Sequence, residues 1–440
     1  MAITDTQVDT TNYAEAMKIR YGKAIVETIN RKVVLYDMLE KTKEHWTGKQ
    51  HQVPVYLRSA NAVGARNEGG TLPDAAADVY KESIVTNKNN YVVVKTTNIA
   101  EALTSQGGAW AAVKSASIKH AAMDLASSMN RQLNGNGFGI LCESKSAGLT
   151  VTIHTYGDGA VVNDSGKAPD TTRFLKVGLR LAWGSYDAGA KAGQDFLATP
   201  PVAGGHGYVS AVNSTTQFTV VKSAGDDPEV GDVFVIGNGA GAGTQGKHSF
   251  NKEMMGLDFL VGDSGTLQLI NPAADPEWKS IVLSNPAGAG TERQLTEDVM
   301  QQAIDRVSDE SADEADTLLC HTTTRRAYLN LLKSKGLERF APTVMRGGHK
   351  SLTYNGGTGD TQIFADKDAV HRTMFVLSRA DLRMFEVSPF KWDSTGGDTW
   401  KWVADQDAAT AFGRTYSNLG VLARNAQARI DDIAVTGIAV

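Results

Sequence analysis

Gly262-Asp263-Ser264-Gly265 is a tetrapeptide that could take part in hydrolysis. The same four residues surround the nucleophile of trypsin-like serine proteases, where the serine also needs a histidine base and an aspartate that orients it. No recognisable histidine motif precedes the tetrapeptide in this sequence. It stands between two apolar segments, 257–261 and 266–270, so the sequence favours a hairpin turn over a protease site.

A glycine-rich segment, Gly241 to Lys247, nearly completes a phosphate-binding P-loop. His248 stands where that motif has the serine or threonine that holds magnesium. Asn251 and Lys252, which follow, do not resemble the start of a buried helix. We therefore interpret the segment as a solvated loop and not as a nucleotide site.

The nine histidines are scattered along the chain, and none pairs with another at the spacing of a metal-binding motif. Cys320 and His321 are adjacent, so on a strand their side chains would point to opposite faces and could not share a metal ion. Ordinary packing is the interpretation that we prefer. The sequence predicts no metal and no cofactor.

Six carboxylates lie between Asp305 and Asp316. A calcium-binding loop needs a glycine and a closing glutamate in register, and this run has neither in place. We interpret the run as a solvated helix end, with a contact to another subunit or to a cation as the alternative.

The segment Arg66 to Pro73 is the most informative stretch of the chain. Two glycines followed by a proline predict a turn. Arg66 and Glu68 can form charge-assisted hydrogen bonds to another surface. The candidate contact residues of this turn are Arg66, Glu68, Gly69, Gly70, Leu72 and Pro73.

Two strand-like segments flank this turn. Residues 51–57 alternate between apolar and polar side chains, and residues 90–95 are a second strand candidate. The segment 59–87 between them is polar and small, without apolar periodicity. This pattern predicts a long antiparallel ribbon. Because a two-stranded ribbon is only marginally stable by itself, we expect it to lie on a neighbouring subunit.

Two other segments have helical periodicity. Residues 12–41 carry one apolar stripe, formed by Tyr13, Met17, Tyr21, Ile25, Ile29 and Val33. Residues 108–134 keep close to the helical period, and the asparagines and glycines at 134–137 end the helix. At 1.5 Å per residue, such a helix is a rod of roughly 40 Å, which is long enough to be the spine of a domain.

The rest of the chain divides into a β-rich part and a mixed part. In residues 150–290, short strands separated by turn residues predict a small barrel or sandwich; they lie at 151–153, 208–212, 217–221 and 232–236. In residues 291–440, Thr296 can cap one helix and a second helix follows at 323–335. Strands in this part are predicted at 317–321, 373–377, 382–387, 400–404, 409–416 and 420–430.

The composition excludes several classes of protein. With 440 residues, the chain is too long for one ordinary core, and we expect two to four domains or subdomains. A net charge of -5 argues against a protein that binds nucleic acid tightly through its phosphates, because such binding needs a strongly basic face. The sequence contains no run of about 18 apolar residues that would cross a membrane, and we expect no secretory signal. Two cysteines form no disulfide framework and indicate a reducing compartment.

In the order of its segments, the chain resembles the major capsid proteins of tailed bacteriophages, which have the Hong Kong phage capsid fold. In one group of them the extended loop carries Gly-Ala-Arg-X-Glu-Gly-Gly-X-Leu-Pro, and residues 64–73 match this pattern. A back-strand, a long helix and an ending like residues 130–137 follow in the same order. Residues 256–266 and 276–278 are similar to the part that precedes the final domain in that group. The similarity extends over about residues 20–435.

The resemblance implies an α+β fold with five parts. These are an N-terminal arm at 1–46, an extended β-hairpin loop at 47–100, a peripheral domain with the spine helix at 101–150, a β-rich insertion with the remaining peripheral strands at 151–290, and an axial α/β domain at 291–440, whose last strands return to the peripheral domain.

The resemblance also implies a structural role and no enzymatic one. Copies of the chain would form homo-pentamers and homo-hexamers that close into an icosahedral shell around double-stranded DNA, without sequence-specific DNA binding. The expected partners are a portal and decoration proteins. Because the arm before the loop is shorter than the scaffolding segment that some relatives cleave off, we expect either a separate scaffolding protein or none. Assembly in the cytoplasm of a bacterial host and a final place in the virion capsid follow from this role.

Two other functions stay open from the sequence. An encapsulin-type nanocompartment shell has the same fold with an enzyme cargo, and the size of the β-rich insertion favours the phage capsid over it. A hydrolase or a nucleotide enzyme would need a complete catalytic constellation, which the sequence does not show.

Overall fold

The structure, a computed structural model, describes residues 33–42, 50–60, 63–68, 70–71, 74, 77–105, 113–156, 170–185, 205–237, 248–288, 291–335, 343–344, 350–356, 359–394 and 398–435. The helices in these residues are α1 (Val34–Met38), α2 (Asn98–Ser105), α3 (Val113–Asn134), α4 (Leu257–Leu260), α5 (Glu297–Glu310) and α6 (Thr322–Ser334). The first strands are β1 (Glu40–Thr42), β2 (Gln50–Arg58), β3 (Val79–Thr86), β4 (Lys88–Thr97), β5 (Ile140–Glu143), β6 (Thr150–Thr152), β7 (Arg180–Ser185), β8 (His206–Ser214), β9 (Gln217–Ala224) and β10 (Asp232–Ile236). The later strands are β11 (Ile281–Leu283), β12 (Thr317–Cys320), β13 (Thr343–Val344), β14 (Lys350–Gly356), β15 (Gly359–Ala365), β16 (Met374–Leu377), β17 (Leu382–Trp392), β18 (Lys401–Trp402), β19 (Ala408–Val421) and β20 (Ala428–Ile430).

Strands β2 and β3 form a two-stranded antiparallel ribbon, in which Gln50 is opposite Thr86 and Arg58 is opposite Val79. The predicted strand at 51–57 is confirmed, but its predicted partner at 90–95 is wrong. Those residues belong to β4, which pairs with β19 along its whole length. The alternation of β3 was hidden in the sequence because the adjacent charged residues Lys81 and Glu82 interrupt it.

Asn87 alone separates β3 from β4. The same stretch of chain therefore pairs first with β2 in the ribbon and then with β19 in a sheet of the body. That body sheet has five strands, β1, β17, β19, β18 and β4. The ribbon is thus a continuation of a strand that the body holds firmly.

The spine helix α3 packs against β4 and the core beneath this sheet. Its 22 described residues span about 33 Å, and Leu125, Met129 and Leu133 lie buried at four-residue steps. The helix ends as predicted at Asn134, where the Gly135 amide donates to the Gln132 carbonyl at 3.0 Å. The predicted first turn, at 108–112, and the predicted arm before residue 33 lie outside the described residues.

The prediction that a helix continues to residue 41 is wrong. Helix α1 ends at Met38, and Glu40–Thr42 form β1, which pairs in parallel with Arg383–Phe385 of β17. The edge of β17 offers backbone hydrogen bonds that a helix at this point would leave unused. Pairing with that edge therefore overrides the helical pattern.

The β-rich insertion is a six-stranded sheet in the order β5, β10, β7, β8, β9 and β6. All four strands that were predicted here are confirmed by β6, β8, β9 and β10, although β6 ends at Thr152, one residue before the predicted end. Trp183, Phe218 and Phe234 fill its core, with the rings of Phe218 and Phe234 edge to face at 5.2 Å. The sheet also includes β5, which lies before the predicted start of the insertion at residue 151. Residues 257–270 do not belong to the sheet and pack into the core beneath α3.

The C-terminal part contains a seven-stranded sheet in the order β11, β20, β16, β12, β15, β14 and β13. Helix α5 packs on it with Met300, Ala303, Ile304 and Val307 buried, and the Thr296 side chain caps the helix by accepting from the Val299 amide. The predicted strands at 317–321 and 373–377 are confirmed by β12 and β16. The predicted break between 416 and 420 is wrong, because β19 is continuous from Ala408 to Val421. The predicted continuous strand at 420–430 is also wrong, because a turn around Arg424 separates the end of β19 from β20.

Within the described residues, none of the helices combines the length and the apolarity that are needed to cross a bilayer.

Leu133 provides a test of how the spine helix is anchored. Its side chain is 0% exposed, and we expect Leu133→Ala to lower the free energy of unfolding by about 2–5 kcal/mol, because the substitution leaves a cavity. The matched control is Leu269→Ala, since Leu269 is 69% exposed and should change stability by less than about 0.5 kcal/mol. Urea unfolding monitored by tryptophan fluorescence measures both, and equal losses in the two variants would contradict the packing described here.

Candidate assembly interface

The predicted contact turn lies at the far end of the ribbon, and it is braced by its own residues. The Gly70 amide donates to the Asn67 carbonyl at 2.9 Å, and Arg66 Nε donates to the Thr71 carbonyl at 3.0 Å. A side chain at Gly70 would have its Cβ 3.1 Å from the Asn67 carbonyl oxygen, so glycine suits this position. Gly69, Leu72 and Pro73 lie outside the described residues.

Arg66 and Glu68 occupy different positions in this turn. The Arg66 guanidinium bonds back to the Ala65 and Thr71 carbonyls, whereas Glu68 is exposed at the tip. Arg66 therefore shapes the turn, and Glu68 presents a carboxylate to the outside. Contact of both residues with another subunit stays a prediction.

A buried carboxylate holds the ribbon to the body of the same chain. Asp275 is 1% exposed and accepts from Lys81 Nζ at 2.5 Å and from Arg58 Nη2 at 3.5 Å, one partner from each ribbon strand. Gln268 adds a backbone bond, because its carbonyl accepts from the Ile84 amide at 3.0 Å. The ribbon was expected to lie on a neighbouring subunit, but this part of it lies on its own chain.

The Gly262–Gly265 tetrapeptide forms a turn around a buried arginine. Arg424 is 0% exposed, and its guanidinium donates to the carbonyls of Leu260 at 3.1 Å, Ser264 at 2.9 Å and Gly265 at 3.1 Å. Burial lowers the pKa of Arg424 to about 10, and the charge of Asp263 opposes that shift. The backbone carbonyls of Ser264 and Gly265 thus bind and neutralise the hydrogen-bonding demand of a buried guanidinium, which is a structural role.

The expected flanking strands of this turn are not formed. Residues 257–260 form the helical turn α4, whose Asp258 amide donates to the Gly135 carbonyl at the end of the spine helix. Residues 267–270 close on themselves through Leu267 and Ile270, with positive φ at Gln268 and Leu269. The segment folds around α3 and Arg424 because these supply the partners that a hairpin would have supplied.

The glycine-rich segment at 241–247 lies outside the described residues, so its prediction as a loop is untested there. The acidic run begins on the exposed face of α5 and continues into the following loop. Glu310 accepts from Arg306 on the same helix at 2.8 Å, and Asp316 accepts from Arg379 Nε at 2.6 Å. Most of this run is therefore a solvated helix end, as predicted.

The loop 366–372 was not recognised in the sequence as a site. Asp366, which is 0% exposed, accepts from the Leu35 amide at 3.2 Å, from Asn130 Nδ2 at 3.0 Å and from Asn134 Nδ2 at 3.3 Å. Asn130 Nδ2 also donates to Asp368 at 2.7 Å. This loop thus joins the N-terminal segment and the spine helix to the C-terminal sheet.

The same loop holds the insertion. Arg173 Nη1 donates to the carbonyls of Lys367 at 3.3 Å and Ala369 at 2.9 Å. Asp170 pairs with His371 at 2.7 Å and also with Arg372. No spacing motif signals these contacts, because the partners are about 200 positions apart in the chain.

Two histidines that are far apart in the sequence, His321 and His371, contact each other in this cluster. The rings of His321 and His371 lie 4.2 Å apart. Burial lowers the pKa of His371, and the Arg173 charge lowers it further against the effect of Asp170. Burial, together with the charges of His371 and Arg173, lowers the pKa of His321 to about 2. His321 is therefore neutral, and its Nδ1 accepts from the Thr323 amide as the cap of α6.

The described residues contain no group of three or more histidine, cysteine or carboxylate side chains that could hold a metal ion. In the cluster around His371, Asp170 instead pairs with His371 and Arg372, so we interpret the cluster as a structural joint.

His321→Asn tests the effect of pH on this joint. A histidine whose pKa is lowered in the folded state contributes its full stability above its ordinary pKa of 6.5 and loses it as the pH falls. Below pH 6.5, the wild-type protein should lose up to about 1.4 kcal/mol per pH unit from this residue. Asparagine keeps the helix cap and removes the titration, so the variant should lose less stability between pH 6.5 and pH 5.

Urea unfolding at pH 7.5, 6.5 and 5 measures this difference. Asn213→Ser, an exposed position on the insertion that carries no titratable group, is the control and should keep the pH dependence of the wild type. Burial raises the pKa of Asp366, but that effect is common to all three proteins and cancels. Equal pH profiles for wild type and His321→Asn would contradict the prediction.

Arg424→Met tests the turn around the buried guanidinium. It removes the donors of several buried carbonyls, each of which costs about 1–3 kcal/mol when left without a partner. We expect a loss of several kcal/mol in the free energy of unfolding. Arg306→Met is the control, because that side chain is 43% exposed and pairs with Glu310 on the same helix. Its loss should stay near 0.3–0.5 kcal/mol, a rough value for such helix pairs. Chemical unfolding curves that coincide for the two variants would show that Arg424 has no such role.

No protein-family model and no curated protein sequence matches this chain. Solved structures do match it. A chain of the cyanophage A-1(L) capsid asymmetric unit aligns with a TM-score of 0.53 and 11% identity, over 97% of this chain and 99% of that one. The SrpI encapsulin complex from Synechococcus elongatus PCC 7942 aligns with a TM-score of 0.47 and 10% identity, over 100% and 99% of the two chains. The capsid of a native GTA particle aligns with a TM-score of 0.44 and 8% identity, over 95% of each chain.

The likeness to the cyanophage capsid chain extends over nearly the whole length of both proteins. The chain therefore has the major capsid protein fold of tailed phages.

Proposed function

We propose that this chain is the structural subunit of an icosahedral shell and, more narrowly, the major capsid protein of a tailed phage with a double-stranded DNA genome. The observation that carries the proposal is the end-to-end likeness of its fold to a cyanophage capsid chain. Homo-pentamers and homo-hexamers are the building units in this proposal, and the virion capsid is its final location.

Exposed aromatic side chains on the ribbon support an assembling subunit. Tyr56 and Tyr80 are 50% and 65% exposed, and their rings contact each other across the two strands in a tilted arrangement, with centroids 5.1 Å apart. Tyr91 and Val93, on the outer face of β4, are also more than half exposed. Apolar surface that is grouped in this way marks a contact with another protein.

The charge of the chain fits a wall around DNA. With a net charge of -5, the subunit has little tendency to hold packed DNA through phosphate contacts. In this proposal the shell encloses the genome without reading its sequence. A separate scaffolding protein, a portal and decoration proteins are the further partners.

A structural role also accounts for the protease-like tetrapeptide. The carbonyls of Ser264 and Gly265 bind the buried guanidinium of Arg424, so these residues serve a turn in the core of the subunit. We therefore propose that the chain is not an enzyme.

Electron microscopy of the protein, expressed alone and with a candidate scaffolding protein, tests the proposal. Closed shells, tubes or capsomer rings are the expected result. Particles that enclose an enzyme cargo would favour the encapsulin-type alternative. A monomer under all conditions, with and without the scaffolding partner, would refute the shell function.

The turn at the ribbon tip gives a further prediction. Arg66→Ala combined with Glu68→Ala should leave the subunit folded, because both side chains are exposed, but should impair shell formation. Loss of the Arg66 bonds loosens the turn, and loss of Glu68 removes its exposed charge. Shell yield by sedimentation and heat resistance of the particles are the measurements.

The matched control removes another exposed arginine and glutamate, Arg306→Ala with Glu310→Ala on α5. Shells of normal yield and heat resistance from the Arg66 and Glu68 variant would show that this turn makes no assembly contact.

A further inference from the structure

The insertion is attached to the rest of the chain by two different kinds of contact. One attachment is apolar: Phe138, Val235 and Phe250 pack with Phe259 of α4, and the rings of Phe138 and Phe259 are edge to face at 6.0 Å. The other attachment is built from polar and charged side chains, and we call it the polar latch. Its members are Tyr156, Asp170, Arg173, His321, His371, Arg372 and Asp432.

The polar latch joins the insertion to the C-terminal part through specific pairs. The Tyr156 hydroxyl donates to Asp432 at 2.6 Å, and the Arg372 guanidinium lies 4.5 Å from the centre of the Tyr156 ring. Asp170 accepts from His371 Nδ1 at 2.7 Å and pairs with Arg372. Arg372 and Asp432 have φ of 58° and 63°, in the left-handed region that costs energy for residues other than glycine. The closed latch is therefore an arrangement that its contacts must maintain.

The insertion has a closed sheet and a core of its own. The ends of β5 and β6 meet in the bridge between Ser144 and Ile153, and the Lys145 amide donates to the Thr152 carbonyl at 2.7 Å. The six strands thus close on themselves around the core that contains Trp183. A unit of this kind can separate from its neighbour at a low-stability contact and stay folded.

Two members of the latch are histidines that the closed arrangement keeps neutral. Burial lowers the pKa of both His321 and His371, and the charge of Arg173 adds to the effect on each ring. On release the rings meet water, and their pKa returns towards the ordinary value of 6.5. Because the released form then binds protons more strongly, each histidine shifts the equilibrium towards release by up to about tenfold per pH unit below 6.5.

Other charged groups face the latch, and they do not reverse this balance. Burial would raise the pKa of Asp170, but the His371 hydrogen bond and the nearby guanidinium groups lower it, so Asp170 stays ionised in mild acid. Asp366, whose pKa burial raises, bonds to the spine helix and to α1, and release leaves those bonds in place. The remaining charged neighbours are Asp368, Lys367, Glu292, Arg293, Arg131 and Asp258. None of these residue types has an ordinary pKa near 6.5, so the histidines dominate the response.

A small cavity adjoins the latch and gives protons a path to it. Its volume is about 60 Å³, and Tyr156, Asp170, Arg173 and His371 all line it. A space of this size has room for about four water molecules. Asn134, which is 1% exposed, also lines the cavity, and its Oδ1 has no hydrogen-bond partner within the described part of the chain. Water can therefore reach His371 before the latch opens.

We propose that the polar latch is a proton-operated switch, which holds the insertion on the C-terminal part at neutral pH and releases it in mildly acidic solution. The apolar cluster at Phe259 stays in contact and acts as the hinge. Both parts remain folded, and only their relative position changes. The switch lies within one chain and does not depend on the shell function.

The distance between two spin labels tests the release. The labels are attached to Val177→Cys on the insertion and to Asp309→Cys on α5, both exposed positions. The native thiols of Cys142 and Cys320 are 0% exposed and stay unlabelled. An excess of unlabelled wild-type chain keeps the labels of different copies apart. The fraction of chains with a changed separation should rise at least about tenfold between pH 7.5 and pH 5.5, and it should fall again when the pH returns to 7.5.

Substitutions in the labelled chain show whether the histidines operate the switch. His321→Asn with His371→Asn should keep the closed separation at pH 5.5, because asparagine places an amide group near the position of Nδ1 and does not titrate. His206→Gln removes a histidine on β8 and is the matched control, which should respond to pH as the wild type does. Asp170→Asn should raise the released fraction already at pH 7.5, because it removes the charge that pairs with Arg372.

Three results would overturn the switch. The first is a separation in the otherwise unchanged chain that is the same at pH 7.5 and pH 5.5. The second is a double asparagine variant that responds to pH like the wild type. The third is a loss of far-ultraviolet circular dichroism together with the change in separation, because the chain would then be unfolding and the insertion would not be released as a folded unit.

Discussion

The fold depends on the need of buried polar groups for partners, and the loop 366–372 is where this need acts most strongly. Asp366 is fully buried and accepts hydrogen bonds from the N-terminal segment and from two asparagines of the spine helix. A few residues later, His371 and Arg372 bind Asp170, and Arg173 binds the backbone of the loop. A buried charge without such partners would cost several kcal/mol. The helix, the insertion and the C-terminal sheet are therefore held in one arrangement by a loop that belongs to only one of them.

The same rule explains the turn around Arg424 and the position of the ribbon. Arg424 donates hydrogen bonds to buried carbonyls of the segment that packs against the end of the spine helix. Asp275, in the following segment, accepts hydrogen bonds from both ribbon strands. Since β3 continues into β4, the ribbon is rigidly connected to the body sheet at one end. The position of the exposed turn at its other end is thus set by contacts with the core of its own subunit.

Much of the secondary structure was predictable, because it follows from local patterns. The spine helix, the four strands of the insertion, α5 with its Thr296 cap, and β12 all carry clear periodicity or capping residues. The errors occur where a distant partner decides. Residues 40–42 joined β17, and residues 90–95 joined β19, because those strands offered backbone hydrogen bonds. In the candidate site, the turn at Arg66 was recognised from its glycines, whereas the cluster of Asp170, His321 and His371 was not, since no motif links residues so far apart.

The sequence by itself determined the order of the elements, the exposed turn with Arg66 and Glu68, and a resemblance that predicted the fold. These features depend on residues that are close together in the sequence, so the periodicity and the turn residues of each segment are enough to predict them. Only the tertiary structure decided which strand pairs with β2, that the ribbon strands lie on their own subunit, and that Asp170, His321 and His371 lie together. The physical reason is that pairing, burial and charge act between residues that are close in space, and their separation along the chain carries no sign of that closeness.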